Sequence, residues 1–311
     1  SQTLSYKHSA SSFLIIISAI FLFVSIVVAT VPISPTFPKA GLDPSWKFAM
    51  SYAIATHMDI GKDIIFTFGP YASIFTHEYH PGAEALTLKS SAILALAYFL
   101  VLSRIIRINA PVYLFAAIGI SISILCNAFP INIILFTYCF ISSLLIFSKI
   151  GRSPDKNKPY ELLIISLIAI PFGLLFLVKG SLLPIVMASA GLIALNLLVK
   201  RQLFYLVVFL LCVVLSTMFF WVAAQQSLEN LASYFLGIGQ MSVGYSQAMS
   251  TNGSWSHINL YLATCFSLAA IIVFAKNQNF ENKIFILLTV TLLLFITFKA
   301  GFVRHDGHAY L

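Results

Sequence analysis

The run LFYLVVFLLCVVLSTMFFWVA, Leu203–Ala223, carries no charged side chain and shows no alternation of polar and apolar residues. A helix that crosses a bilayer needs about 20 mostly apolar residues, whereas a barrel strand shows an alternating pattern over about 10. This stretch therefore reads as a transmembrane helix. Eight further runs are likewise apolar, one of them with Arg104 and Arg107 near its end: Phe13–Val31, Ser91–Ile108, Val112–Ala128, Ile131–Phe147, Leu162–Val178, Ser181–Val199, Ile258–Ala275 and Ile284–Phe298. Of the 311 residues, 59% are hydrophobic and 9% charged, with a mean hydropathy of +0.95. Soluble domains carry roughly a quarter charged residues. The expected fold is an all-α polytopic membrane protein of about nine transmembrane helices, one domain over residues 1–311.

Phe13–Val31 is long for a signal-peptide core and leads into Pro32 and Pro35 without a small-residue cleavage pattern, so it is expected to remain as the first span. The chain starts without methionine and stops at Tyr310-Leu311 as a new segment begins, which suggests a piece of a longer protein. Cys126, Cys139, Cys212 and Cys265 all fall in apolar runs without paired spacing and indicate neither a disulfide framework nor a zinc motif.

The net charge of +8 is spread along the ends of the apolar runs, which argues for topology rather than for a nucleic-acid partner. With the N-terminus in the cytoplasm, Lys7, Arg104, Arg107, Lys149, Arg152, Lys156, Lys158, Lys200, Arg201, Lys276 and Lys283 fall on the inner side. The outer side receives residues 32–90, the Phe129-Pro130 turn, Lys179-Gly180, Gln225–His257 and everything from Lys299 onward. Asp43, Asp59, Asp63, Glu78, Glu84, Glu229 and Asp306 lie there, with six of the seven histidines. Titratable groups thus collect on one face.

The first outer loop holds two blocks: Gly41-Leu42-Asp43-Pro44-Ser45-Trp46 and Gly61-Lys62-Asp63-Ile64-Ile65-Phe66-Thr67-Phe68-Gly69-Pro70-Tyr71. Asp43-Pro44 has the form of a helix start, with Asp as N-cap and Pro at the first helical position. Trp46, Ala49, Met50, Ala53 and Ile54 share one face of the helix that follows, which suits a membrane-surface helix. Gly61 and Gly69-Pro70 mark turns around a short extended run, and a second short helix is expected over Tyr71–His80. A carboxylate at the membrane surface, partly desolvated, suits a general base, which singles out Asp43, then Asp63 and Asp59; the plain alternative for Asp43 is a helix cap.

Asp43, Trp46, Ala49, Ala53, Gly61, Asp63, Gly69 and Pro70 follow the order of features in the GT-C superfamily of integral-membrane glycosyltransferases, which the first 110 or so residues resemble. The resemblance implies a cytoplasmic N-terminus, interfacial helices in the first outer loop, and transfer of a sugar, with inversion, from a polyprenyl-phosphate-linked donor to a lipid, glycan or protein acceptor on the outer face. The acidic residue would deprotonate the acceptor and basic groups would hold the departing phosphate. Many members carry paired carboxylates where this chain has Asp43-Pro44, so a divalent metal such as Mg2+ or Mn2+ is left open. A bacterial plasma membrane is the expected location.

A second dense cluster is Lys299-Ala300-Gly301-Phe302-Val303-Arg304-His305-Asp306-Gly307-His308. Arg304 suits a phosphate clamp, and His305, Asp306 and His308 suit acid/base or metal-ligand roles, against the alternative of basic side chains snorkelling to headgroups. Lys179 and Lys62 join the candidate phosphate or acceptor contacts. His77 and His80 are expected to be exposed loop histidines. In Gln225–His257 the expectation is a loop whose Tyr234, Phe235, Met241, Tyr245 and Met249 pack on the bilayer or line an entrance.

Three other functions fit parts of the pattern. A transporter or flippase would show ionisable groups or broken helices near the midplane; Pro171 and Pro184 offer some discontinuity, but the span centres lack Asp, Glu, Lys and Arg. An envelope polysaccharide polymerase or ligase would use similar groups, and a structural subunit would use none of them.

Overall fold

The computed structural model describes residues 2–109, 113–126, 130–150, 158–248, 250–275 and 279–310. The side chains of Lys7, Arg107, Cys126, Lys149, Lys158, Tyr245 and His308, and the residues Phe129, Arg152, Lys156, Met249 and Lys276, lie outside the described part. The described residues form thirteen α-helices: α1 (Gln2–Thr30), α2 (Leu42–Ala55), α3 (Ala72–Thr76), α4 (Pro81–Asn109), α5 (Tyr113–Cys126), α6 (Pro130–Lys149), α7 (Lys158–Leu175), α8 (Leu183–Val199), α9 (Leu203–Ala223), α10 (Glu229–Ala248), α11 (Trp255–Phe274), α12 (Phe280–Phe302) and α13 (Gly307–Tyr310). A 3-10 turn, Gly180–Leu182, leads into α8. Among the described residues there are only isolated β-bridges.

Seven helices are long and apolar enough to cross a bilayer: the segments Phe13–Thr30, Pro81–Ile106, Ile131–Ser148, Gly180–Val199, Leu203–Ala223, Trp255–Phe274 and Phe280–Phe302. Two of the nine expected spans are shorter apolar helices, Leu114–Ile124 and Pro159–Leu175. The chain is an all-helical integral membrane protein. Large apolar side chains stand exposed along its helices, among them Leu211, Val214 and Phe219 on α9 and Phe266 and Phe274 on α11. A surface of that kind is stable only against lipid or another apolar partner. Within the spans Ser25, Thr30, Ser143 and Thr289 donate to the carbonyl four residues back, so their hydroxyls are satisfied without leaving the helix.

The helix pairs α7–α9, α1–α5 and α1–α4 pack most extensively, and α6 runs against α4, α8 and α12. α7 continues through Pro171 to Leu175, and Pro184 sits in the first turn of α8, where its missing N–H costs nothing. Neither proline breaks a span, contrary to the expected discontinuity.

The connections gather at two ends. At one, Lys200 donates to the Phe147 carbonyl at 3.0 Å, Arg104 lies 5.2 Å over the Tyr160 ring, and Phe147 meets Phe285. At the other, residues 58–71 pair with the α7–α8 connection and the end of α9. The ends of α6 and α8 thus meet on one side, and the first long loop meets the α7–α8 connection on the other.

Three elements differ from the sequence reading. α4 begins at Pro81, ten residues before the apolar run, because Glu84 and Lys89 lower the hydropathy without lowering helix propensity. α3 covers only Ala72–Thr76, since His77 takes a left-handed conformation at φ 53° and stops it. Most of the expected Gln225–His257 loop is α10, one face of which buries Tyr234 and Ile238 while Leu236 stays exposed.

Candidate functional site

The end that carries the first long loop is built on α2. Its N-cap is Gly41, at φ 137°, and Asp43 lies inside the first turn without capping it. The helix start has no side-chain cap bond, and the Asp43 carboxylate makes a different contact. The Trp46 indole N–H donates to Asp43 Oδ1 at 3.1 Å. Met50, Ala53 and Ile54 are buried as the amphipathic pattern requires, Trp46 is half-buried, and Ala49 is exposed.

After α2 the chain turns through Asp59 and Asp63. The Asp59 amide donates to Asp63 Oδ2 at 2.9 Å, the amides of Asp63 and Ile64 donate to the Asp59 carbonyl, and Lys62 Nζ stands 3.8 Å from Asp59 Oδ2. Both carboxylates thus have local work in shaping the turn, and Lys62 points mostly into solvent. Gln226 fastens this turn to the end of α9: its Oε1 accepts from the Ile60 amide at 2.7 Å and its Nε2 donates to the Met58 and Ala224 carbonyls. Gln226 is buried, and its role follows from a contact between distant parts of the chain that sequence spacing does not reveal.

The following block, Thr67–Tyr71, pairs with the connection between α7 and α8. Gly180 N–H donates to the Thr67 carbonyl at 2.7 Å, Gly69 N–H to Val178 at 3.2 Å and Tyr71 N–H to Leu177 at 3.0 Å. The chain has glycine at 69 because a Cβ there would collide with the Leu177 carbonyl and the Tyr234 hydroxyl. Tyr71 is buried, donates to the Phe220 carbonyl at 2.7 Å, and has its phenol pKa pushed up by burial. Tyr234 similarly donates to the Phe176 carbonyl at 3.0 Å and packs on Trp221, inside the protein and away from lipid.

This pairing brings Lys179 against the loop. Its ammonium stands 4.0 Å from the Phe75 ring centroid and 5.4 Å from that of Phe68. Phe68 also stacks on Trp46 at 4.8 Å, with Phe66 at 5.5 Å from the same indole. Asp43, Trp46, Phe68 and Lys179 thus form one continuous line of contacts. Among the described residues no carboxylate lies within ion-pair distance of Lys179. Burial lowers its pKa from 10.5 to about 8, so it remains a cation at neutral pH.

His77 departs from the expected exposure. Its Nε2 is buried without a partner, burial lowers its pKa, and the left-handed backbone takes it off any helix it would share with His80. Beside it Glu78 is buried; Oε2 accepts from Thr36 Oγ1 at 3.0 Å while Oε1 has no partner.

The tail forms a second centre on different elements. Thr251 N–H donates to the Val303 carbonyl at 3.0 Å, Arg304 Nε donates to Asp306 Oδ2 at 3.0 Å, and His305 Nε2 lies 3.3 Å from His257 Nδ1. The contacts that position Arg304 and His305 run to Asp306, Thr251, His257 and Phe302. Those that position Asp43, Asp59 and Asp63 run to Trp46, Lys62 and the backbone of the turn. His257 was not singled out by the sequence, since a lone histidine at a helix start carries no motif. His308 has its side chain outside the described part.

Among the described residues no three His, Cys, Asp or Glu side chains converge as a metal shell. The three loop aspartates are each engaged elsewhere, so they do not form the oxygen cage that Mg2+ or Mn2+ favours. No family model matches the chain, and no curated protein or solved structure is detectably similar to it.

Proposed function

We propose that the chain is a GT-C-like glycosyltransferase of nine spans, placed in a bacterial plasma membrane with its N-terminus inside, that takes a sugar from a polyprenyl-phosphate-linked donor on the outer face. The observation that carries this reading is Lys179: a half-buried cation without a carboxylate partner among the described residues, held between phenylalanine rings and joined through Phe68 and Trp46 to Asp43. A cation in that state is preorganised for an anion, and the anion a membrane-embedded enzyme of this kind handles is a lipid phosphate.

In this reading Asp43, exposed at the start of α2 and oriented by the Trp46 indole, takes the proton from an acceptor hydroxyl. The hydroxyl oxygen forms a bond to the anomeric carbon as the carbon–oxygen bond to phosphate breaks, with inversion. Lys179 stabilises the charge left on the phosphate. Arg304, with one guanidinium nitrogen already on Asp306, is a further phosphate contact if the tail closes over the loop. His305 and Asp306 would then meet the acceptor. No step requires a metal.

The test is sugar transfer from a panel of radiolabelled polyprenyl-phosphate donors by full-length protein in membranes, comparing wild type with Asp43→Asn and Lys179→Met. Transfer by wild type that each variant loses while still inserting and folding supports the proposal. No transfer from any donor moves polymerisation, ligation or transport to the front, and transfer that survives both substitutions removes these residues from the site.

A further inference from the structure

At the end opposite the first long loop, α4 finishes beside the start of α7. Arg104 lies just inside the end of the apolar stretch Pro81–Ile106, and Glu161 just inside the start of the apolar helix Pro159–Leu175. The Arg104 guanidinium stands 5.2 Å from the ring centroid of Tyr160, the residue before Glu161. Glu161 is only 5% exposed, yet its Oε1 has no hydrogen-bond partner. Arg104 is half-buried and its Nε is also without a partner, as is the hydroxyl of Ser103 beside it. Among the described residues no ion pair joins the two opposite charges.

A buried carboxylate with neither counter-ion nor hydrogen bond is costly, and native proteins almost always give such a group a partner. The partner here must meet two demands side by side: a cation with N–H donors for Glu161 and an anion for Arg104. Neither group is sealed off, since the guanidinium is half-buried and Glu161 is not fully closed. The surface leading away from them is apolar. On α4, Leu96 and Leu100 stand exposed in the two turns before Arg104, and on α7, Leu163 and Ile170 stand exposed in the turns after Tyr160. Their helical spacing keeps each set in one stripe.

We infer that Ser103, Arg104 and Glu161 hold the headgroup of a zwitterionic phospholipid with a primary ammonium, of the phosphatidylethanolamine type. Phosphate oxygens accept from the guanidinium and the Ser103 hydroxyl, and the ammonium donates to Glu161. The acyl chains lie along the exposed stripes of α4 and α7, which is what selects a lipid over a small soluble zwitterion. Tyr160, 45% exposed, sits at headgroup level as tyrosines near span ends do. Phosphatidylglycerol brings no cation and leaves Glu161 bare. Phosphatidylcholine brings the charge but no N–H to donate. The guanidinium thus supplies affinity common to all phospholipids, and the carboxylate sets the choice among them.

The site is independent of the proposed transfer reaction, and its test reads lipid alone. Purified full-length chain in detergent is offered equal amounts of phosphatidylethanolamine, phosphatidylglycerol and phosphatidylcholine, and native mass spectrometry counts the lipids retained. Wild type is expected to prefer phosphatidylethanolamine by about tenfold, the worth of one hydrogen bond to a charged group. Glu161→Gln should remove most of that preference, and Arg104→Met should weaken retention of all three lipids. Glu84→Gln, at the exposed far end of α4, should change neither. Equal retention of the three headgroups by wild type would overturn the site, and it is also the result expected if Arg104 and Glu161 close on each other instead. A preference that survives Glu161→Gln would overturn it too. The wild-type comparison needs no variant, so a substitution that misfolds does not spare the inference.

Discussion

Replacing Lys179 by methionine should make the protein more stable. Methionine keeps an unbranched stem of similar reach and removes the ammonium. The fall in the lysine pKa from 10.5 to about 8 reflects burial; at about 1.36 kcal/mol for each tenfold step, this corresponds to about 3 kcal/mol against the charged folded state. The rings of Phe68 and Phe75 return part of that, about 1–2 kcal/mol for desolvated cation–π contacts. A net cost of about 1–2 kcal/mol remains, and relieving it should raise the melting temperature by about 2–8 °C, since large domains shift by about 2–4 °C for each kcal/mol. The sign with pH follows from the depressed lysine. Below about pH 8 the group is charged in both states and the folded state bears the full cost. Between about 8 and 10.5 the unfolded state binds more protons, so wild-type stability rises with pH; above that range the lysine is neutral in both states and the cost has vanished. The gap between variant and wild type should therefore be widest at neutral pH and close as pH rises through this window. Thermal unfolding in nanodiscs across that range measures it. A variant that melts below wild type by the same margin at every pH would mean that the folded protein already satisfies Lys179, and the case for an anion site would go with it.

Gly69→Ala places a Cβ against the Leu177 carbonyl and the Tyr234 hydroxyl, so it should cost about 1–3 kcal/mol and raise protease sensitivity between α2 and α3; unchanged cleavage would remove the claimed close approach. Gln226→Ala strands the Ile60 amide and the Met58 carbonyl, with an expected loss of about 1–3 kcal/mol and faster hydrogen exchange at Ile60. Tyr71→Phe removes the bond to the Phe220 carbonyl and should lower stability by about 1 kcal/mol while leaving sugar transfer intact. Transfer itself should decline as pH rises through about 8, as the Lys179 ammonium is lost, and a rate that stays level to about pH 10 would separate Lys179 from phosphate binding.

What could be read from the chain was local. Apolar runs such as Leu203–Ala223 are helices in the structure because nothing else satisfies their backbone in lipid, and the Gly69-Pro70 turn follows from the preferences of those two residues. α10 is not legible because Gly237, Gly239 and Gly244 and scattered polar residues dilute its hydropathy; it is helical through packing of Tyr234 and Ile238 on the first long loop and the α7–α8 connection. Asp43 is not the cap because α2 already starts at Leu42, with Gly41 at positive φ turning the chain into the helix and no side-chain cap bond. Lys179 was singled out, yet its partners were invisible, since Phe68 and Phe75 lie more than a hundred positions away and their pairing leaves no periodic trace. His257 was missed for the same reason.

The end built around the first long loop treats its polar groups unequally, and the inequality supports the proposed site. Gln226, Tyr71 and Tyr234 are buried and each places its polar atoms on backbone carbonyls or amides, so the frame around the Gly69 turn is closed and costly to deform. Within that closed frame Lys179 has aromatic faces and no counter-charge. A frame able to satisfy three neighbouring polar side chains had room to satisfy a fourth, for instance with a carboxylate at the position of Phe75. Leaving the cation bare lowers stability and raises affinity for any anion that arrives. That trade is favourable where an anion comes and goes, which is what the proposed function asks of Lys179.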